Sequence, residues 1–320
     1  MNKLIMNILL LSGVLLTSCS DDGDVNIVSL NTFGNKVCMN DRVKVFVSAE
    51  TSGDEVPTYE WGCSEGSMTN PQGLFENVWQ APKNPGEYEI WVTVKCGGSK
   101  ETRRAKMTVL DELFYSDFET PYYNEGYSNS SMTLKQDSKT GSLKLTSSKD
   151  KGVFQRNWND ETIVPPYSMQ MQYNPQTFKD GNSIDFRIAF SSLSEGTKDL
   201  RNINFSIEPL TGNTYIYSQY FNKETGDIES LETSATVIND LKFTKSWKYV
   251  SVSIDASNNF IVYLNGVKIV ESTFLKTFFP QSSYPIKGSG VALSNKAVVL
   301  VDDMSVIING EICNATERVR

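Results

Sequence analysis

Two sets of residues in this sequence have the types and spacing to do chemistry. The first is four carboxylates, Asp117 and Glu119 in Ser116-Asp117-Phe118-Glu119 and Asp302 and Asp303 in Val301-Asp302-Asp303-Met304. If the strands that carry them pair, like charges meet, and a hard cation with oxygen ligands, calcium above all, would relieve the repulsion. The other reading, carboxylates that point into solvent or cap turns, stays open. The second set is Trp158, Asp185, Arg187, Asn204, Tyr215 and Tyr217. A sugar ring presents an apolar C–H face and a rim of hydroxyls, so its recognition needs a flat aromatic beside amides, arginine or carboxylates. In extended chain Tyr215 and Tyr217 share one face opposite Ile216, and Asp185, Arg187, Asn204 and Ser206 likewise turn away from an apolar face. A single tyrosine is more often a core or rim residue. It is the joint occurrence of these polar positions with Trp158 that raises the expectation of a binding surface, and Tyr122, Tyr123 and Tyr127 form a further aromatic cluster.

Composition narrows the chemistry from the other side. The chain has no histidine, which removes Ser-His-Asp and Cys-His nucleophiles and imidazole-ligated metal sites. Paired carboxylates of a retaining glycosidase need a separation of about 5 Å. The nearest acidic run is Asp227-Ile228-Glu229-Ser230-Leu231-Glu232, which follows the turn-like Lys223-Glu224-Thr225-Gly226 and reads as an exposed polar hairpin. With a formal net charge of -8 over 320 residues the chain offers no basic face for phosphates, so nucleic acid is not an expected partner. Of five cysteines, Cys63 and Cys96 sit near the ends of predicted strands and could form a disulfide in an oxidising compartment. Cys38 and Cys313 are left over, far apart in sequence, and the sequence alone does not pair them; no spacing suggests a metal site.

The elements that must position these residues are strands throughout. Arg42-Val43-Lys44-Val45-Phe46-Val47 and Tyr88-Glu89-Ile90-Trp91-Val92-Thr93-Val94 alternate between Pro-Gly and Gly-Gly turns, which predicts a small β-sandwich over residues 26–111. Over residues 112–310 the same period recurs in Ile184-Asp185-Phe186-Arg187-Ile188, Ile203-Asn204-Phe205-Ser206-Ile207 and Val250-Ser251-Val252-Ser253-Ile254. No comparable stretch reads as an amphipathic helix, so the fold class is all-β: a small sandwich followed by a jelly-roll sandwich, with residues 311–320 as a tail.

At the N-terminus, residues 1–18 have the anatomy of a secretory signal, a lysine and then an apolar run too short to span a bilayer. Leu16-Thr17-Ser18-Cys19 resembles the lipobox of bacterial lipoproteins, which implies cleavage before Cys19 and lipidation of that cysteine. Ser20-Asp21-Asp22-Gly23-Asp24 resembles the acidic export signal of surface lipoproteins of some Gram-negative anaerobes, and it also reads as a plain solvated tether over residues 19–25. The implied location is the outer membrane, lipid-anchored, on the extracellular face.

Further resemblances cover the rest of the chain. Tyr59-Glu60-Trp61, Val78-Trp79-Gln80-Ala81-Pro82 and Pro85-Gly86-Glu87-Tyr88 look like a PKD-type immunoglobulin-like domain, which implies a spacer with Trp61 as its core tryptophan. Trp247-Lys248-Tyr249-Val250 followed by Tyr263-Leu264-Asn265-Gly266 is similar to the hairpin of concanavalin A-like and laminin G domains, and Asn-Gly is itself a strong turn signal. The acidic segments at the two ends of this region are similar to those of jelly-roll carbohydrate-binding modules, whose terminal strands are neighbours and often hold a structural calcium ion. These resemblances imply a surface lipoprotein that binds a polysaccharide or other glycan. A glycoside hydrolase or polysaccharide lyase of the same fold, and a protein-binding adhesin, are the alternatives.

Overall fold

The structure, a computed structural model, describes residues 23–52, 55–118, 126–158, 163–280, 283–309 and 312–313. Cys19 with the signal and most of the acidic tether, Glu119, Tyr122 and Tyr123 lie outside the described residues. The chain divides into two compact units, one reaching to Val109 and one spanning Leu110–Thr316. Among the described residues no helix is long and apolar enough to cross a membrane.

The first unit holds strands β1 (Val25–Thr32), β2 (Lys36–Cys38), β3 (Arg42–Thr51), β4 (Thr58–Cys63), β5 (Ser67–Met68), β6 (Gln72–Gly73), β7 (Glu76–Gln80), β8 (Gly86–Cys96) and β9 (Ser99–Leu110). They form two sheets, ordered β1-β3-β7-β5 and β2-β9-β8-β4-β6. Alternation dictates what each sheet buries: Val43, Val45 and Val47 of β3, and Ile90, Val92 and Val94 of β8, are all buried, while the residues between them are not. Trp61 is buried, as expected, and Trp79 is buried more completely; their ring N–H groups donate to the carbonyls of Leu74 at 2.9 Å and Glu65 at 3.1 Å.

The expected Cys63–Cys96 disulfide does not form; both thiols are free. Cys63 stands opposite Ile90 in the β4–β8 ladder, whereas Cys96 closes the far end of β8 opposite Ser99. Six residues of strand between the two levels amount to roughly 20 Å. A disulfide needs Cα atoms within about 7 Å.

The second unit contains β10 (Glu112–Ser116), β11 (Tyr127–Ser130), β12 (Met132–Gln136), β13 (Leu143–Ser147), β14 (Lys151–Asn157), β15 (Tyr167–Thr177), β16 (Ile184–Glu195), β17 (Lys198–Glu208) and β18 (Asn213–Asn222). They are followed by β19 (Ile228–Glu232), β20 (Thr236–Val237), β21 (Lys248–Ile254), β22 (Phe260–Leu264), β23 (Val267–Ser272), β24 (Ile286–Ser294) and β25 (Val298–Ile308). Two eight-stranded antiparallel sheets make a jelly-roll sandwich. One runs β12-β13-β25-β15-β21-β22-β23 with β10 on β25; the other runs β11-β14-β24-β16-β17-β18-β19 with β20 on β18. The first and last strands of the unit are indeed neighbours, Tyr115 opposite Ser305 and Ser116 opposite Met304.

Asn265 and Gly266, at φ 49° and 79°, turn β22 into β23 with Leu264 opposite Val267. Both central residues of such a turn need positive φ, which Asn and Gly tolerate best. The inner faces pack Phe154, Phe186 and Phe205 of one sheet against Tyr167, Tyr173 and Phe260 of the other side of the core, none more than 1% exposed. Each such side chain stabilises the fold by about 1.5–3 kcal/mol. That burial locks the register, because a one-residue slip would turn every inward ring outward.

Candidate functional site

Strands β16, β17 and β18 bury Ile184, Phe186 and Ile188, then Ile203, Phe205 and Ile207, then Ile216. The residues between them must therefore point to the opposite, outer face of the sheet. The register aligns these outer residues in rows: Asp185 beside Ser206 beside Tyr215, Arg187 beside Asn204 beside Tyr217, and Ala189 beside Asn202 beside Gln219. On the other flank β24 and β14 continue the rows, with Gly290 and Gln155 following Arg187, and Gly288 and Asn157 following Ala189. Five of the six residues expected to bind sugar thus share one face of three adjacent strands.

The face has a buried polar floor. Asp185, 1% exposed, accepts from the Ser206 hydroxyl at 2.7 Å and the Tyr217 hydroxyl at 2.6 Å, and its Oδ2 lies 2.6 Å from Lys151 Nζ. Lys151 also donates to the Tyr217 oxygen and sits 4.8 Å from that ring's centroid. Burial, then the Asp185 charge and hydrogen bond, drive the Tyr217 phenol far above the ordinary tyrosine range. Asn204, fully buried, donates to Asn202 Oδ1 at 2.6 Å, and its own Oδ1 has no hydrogen-bond donor.

Above this floor sit the half-buried side chains. Tyr215 lies 5.9 Å from Tyr217, centroid to centroid, and burial raises its phenol. Arg187 donates through Nη1 to Gln219 Oε1 at 3.5 Å, while its Nε is buried with no acceptor. Gln219 Oε1 also accepts from Asn202 at 3.1 Å. Gln155 donates to Asn157 at 2.5 Å, and Asn157 to the Ser128 hydroxyl at 2.8 Å. A row of amides therefore borders the arginine on both sides.

Two expectations are corrected. Trp158 is no binding residue on this face: it is 8% exposed, belongs to the apolar core, and meets Phe114 edge-on at 6.4 Å. Its backbone N–H donates to the Lys287 carbonyl at 2.9 Å, which holds it inward as β14 ends. Tyr217, 7% exposed under Lys151, props up Asp185 and does not offer its ring for stacking; the half-buried Tyr215 does. Asp185 and Asn204 are likewise supports beneath the surface.

The carboxylates at the terminal strands are described in part, Glu119 lying outside the described residues. Asp303, at φ 46°, sits in an irregularity of β25 and accepts from the Tyr115 hydroxyl at 2.5 Å and the Gln172 amide at 2.7 Å. Asp302 accepts from the Asp303 backbone N–H at 3.0 Å. Among the described residues Asp117, Asp302 and Asp303 do not bring their oxygens together within 4.8 Å as a ligand set. Tyr127, from the third aromatic cluster, stacks on Phe154 at 4.7 Å and 9° and so lines the core.

Lys151, Gln155, Asn202 and Gln219 were not singled out from sequence. Asn202 and Gln219 obey the same alternation as their neighbours and were legible by it. Lys151 and Gln155 reach the face only through β24, whose pairing joins segments more than a hundred residues apart.

No protein-family model matches the chain, and no curated protein matches it. Among solved structures it is similar to the glycoside hydrolase family 16 endo-glucanase from Bacteroides ovatus, at 10% identity and a TM-score of 0.46 over 61% of this chain and 99% of that one. It is similar to the Emp46p carbohydrate recognition domain in its potassium-bound form, at 10% identity and a TM-score of 0.43 over 62% and 96%. A Bacillus subtilis protein of unknown function with a galectin-like fold gives 11% and 0.42 over the same shares.

Chemically, the outer face can offer a ring, two flanking amide rows and a cationic donor to a flat polar ligand. Glu229 and Glu232 of β19 differ by an odd number of residues and so fall on opposite faces; Glu229 is occupied by the Tyr220 hydroxyl at 2.6 Å and the Asn222 amide at 2.7 Å. A phenol held as high as that of Tyr217 donates hydrogen bonds and does not serve as a base.

Proposed function

We propose that this protein binds carbohydrate without cleaving it, through the outer face of β14, β24, β16, β17 and β18. The observation that carries the reading is Arg187: a half-buried guanidinium at the centre of the face, held by one long hydrogen bond to Gln219, in the row that leads to Gln155 and one row from the half-buried Tyr215. The accessible part of its guanidinium can donate to a ligand hydroxyl or carboxylate. Arg and amide donors beside an aromatic face are what a sugar ring requires. The first unit, through its likeness to PKD-type domains, serves as the spacer. Leu16-Thr17-Ser18-Cys19 and the acidic run behind it support a lipid anchor at Cys19 and display on the outer membrane.

The test is retention of the mature chain on a panel of immobilised polysaccharides, with released reducing ends and unsaturated products assayed in parallel. Retention without product supports the proposal. Product release would establish the hydrolase or lyase alternative, and the absence of retention on every glycan would leave the adhesin reading in its place.

A further inference from the structure

Arg187 has an uneven set of partners. The nearest carboxylate on its strand, Asp185, is already committed to Lys151 at 2.6 Å and to the hydroxyls of Tyr217 and Ser206 at 2.6 and 2.7 Å. Arg187 itself makes no ion pair among the described residues; its one hydrogen bond, to Gln219, is long at 3.5 Å, and it shares that acceptor with Asn202. The Lys151, Asp185 and Arg187 group therefore carries one surplus positive charge, and that charge is on the arginine. Burial works against it, lowering the guanidinium from its ordinary value despite the attraction of Tyr217 and Asp185. A half-buried cation without an anion is costly, and apposed anions relieve such sites most effectively when they accept two N–H groups at once.

Gly290 lies between Arg187 and Gln155 in the register and contributes no side chain; a Cβ there would meet the Phe154 carbonyl at 2.1 Å and Gln155 Cβ at 2.8 Å. The backbones of β24 and β14 approach closely there, and Gly290 is buried.

We infer that the glycan is anionic, and that Arg187 binds the carboxylate or sulfate of one of its sugar residues. The inference rests on the carbohydrate-binding reading of this face and adds the charge of the ligand to it. A neutral sugar would leave the cation uncompensated, so the preference is one of chemistry as well as shape. The chain's net charge of -8 opposes general attraction to polyanions, so retention on one must come from a local contact.

The experiment compares the mature wild-type chain on polygalacturonate and its carboxyl-reduced form, and on chondroitin sulfate and its desulfated form, by equilibrium binding at physiological salt. One anionic polymer is expected to bind about ten- to hundredfold more tightly than its neutralised counterpart, the range for a hydrogen bond to a charged group. Arg187→Gln should erase that difference, Arg187→Lys should restore only part of it because an ammonium lacks the planar fork, and Arg201→Gln, an exposed arginine outside the site, should leave it intact. Equal binding of native and neutralised polymers overturns the inference and leaves the carbohydrate reading standing. Binding of neutral polysaccharides alone does the same, and failure to bind any glycan overturns both. The wild-type comparison needs no variant, so a poorly folding substitution does not decide the outcome.

Discussion

The Tyr217 hydroxyl donates to Asp185 Oδ2 at 2.6 Å across two intervening ladders, from β18 to β16. That bond joins the outer strand of the face to its centre and fixes Asp185 for Lys151, so the charges of the site are set from beneath. Tyr217→Phe keeps the ring and removes the donor. It should cost about 1–3 kcal/mol in urea unfolding, the penalty for a buried carboxylate losing a partner. An unchanged transition midpoint would mean that the bond does not support the fold.

The same burial makes a pH prediction. Tyr167, Tyr173 and Tyr217 are all raised well above ordinary tyrosine, each chiefly by burial. Their unfolded counterparts ionise near 10. A group whose pKa is raised on folding contributes its full stability below the unfolded value and loses it as pH rises toward the folded one. Stability should therefore be flat in these groups up to about pH 10 and fall above it. Ultraviolet titration of the folded chain should show these three phenols silent until alkaline unfolding. Ionisation of all tyrosines near pH 10 with the fold intact would contradict their placement.

Trp158 and Tyr215 should separate stability from binding. Trp158→Ala opens the core and should cost roughly 3–5 kcal/mol of stability, with glycan affinity per folded molecule unchanged. Tyr215→Ala should leave melting nearly untouched and weaken glycan binding by about 1–3 kcal/mol, as an aromatic anchor does. Melting each variant before ligand is added distinguishes the two roles.

The face itself was legible because alternation is a local signal: Ile184 to Ile188, Ile203 to Ile207 and Ile216 show which residues turn inward, and their neighbours must turn outward. What alternation does not carry is depth. Asp185, Asn204 and Tyr217 look alike to Arg187 and Tyr215 in sequence, yet they lie beneath the surface: Lys151 arrives over Asp185 and Tyr217 from β14, and Asn204 is buried beside Asn202. Trp158 misleads for a related reason. Its flanks, Asn157 and Asn159, read as a polar loop, while a backbone bond to Lys287, far along the chain, turns the ring into the core. Cys63 and Cys96 lie on neighbouring strands, but only the β4–β8 register shows that they stand at opposite ends.

Peptide mapping of the unreduced protein should accordingly recover Cys63 and Cys96 without a bond between them. The Cys63 thiol, pushed up by burial, should react slowly with alkylating reagents at neutral pH. A Cys63–Cys96 cross-linked peptide would contradict the register of β4 on β8.

For the anchor, Cys19→Ala should release the protein from the membrane fraction. Replacement of Asp21, Asp22 and Asp24 by alanine should keep membrane association and reduce protease accessibility on whole cells. Unchanged accessibility in the latter variant would remove the export role of the acidic run.

The central claim, that the outer face around Arg187 holds a glycan, is tested most directly by isothermal titration of the mature chain and of the double variant Arg187→Gln, Tyr215→Ala with the polysaccharide that retains the wild type. The account predicts saturable binding by the wild type and its loss in a variant that melts at the same temperature. Equal affinity in a fully folded double variant would contradict it and move the site off this face.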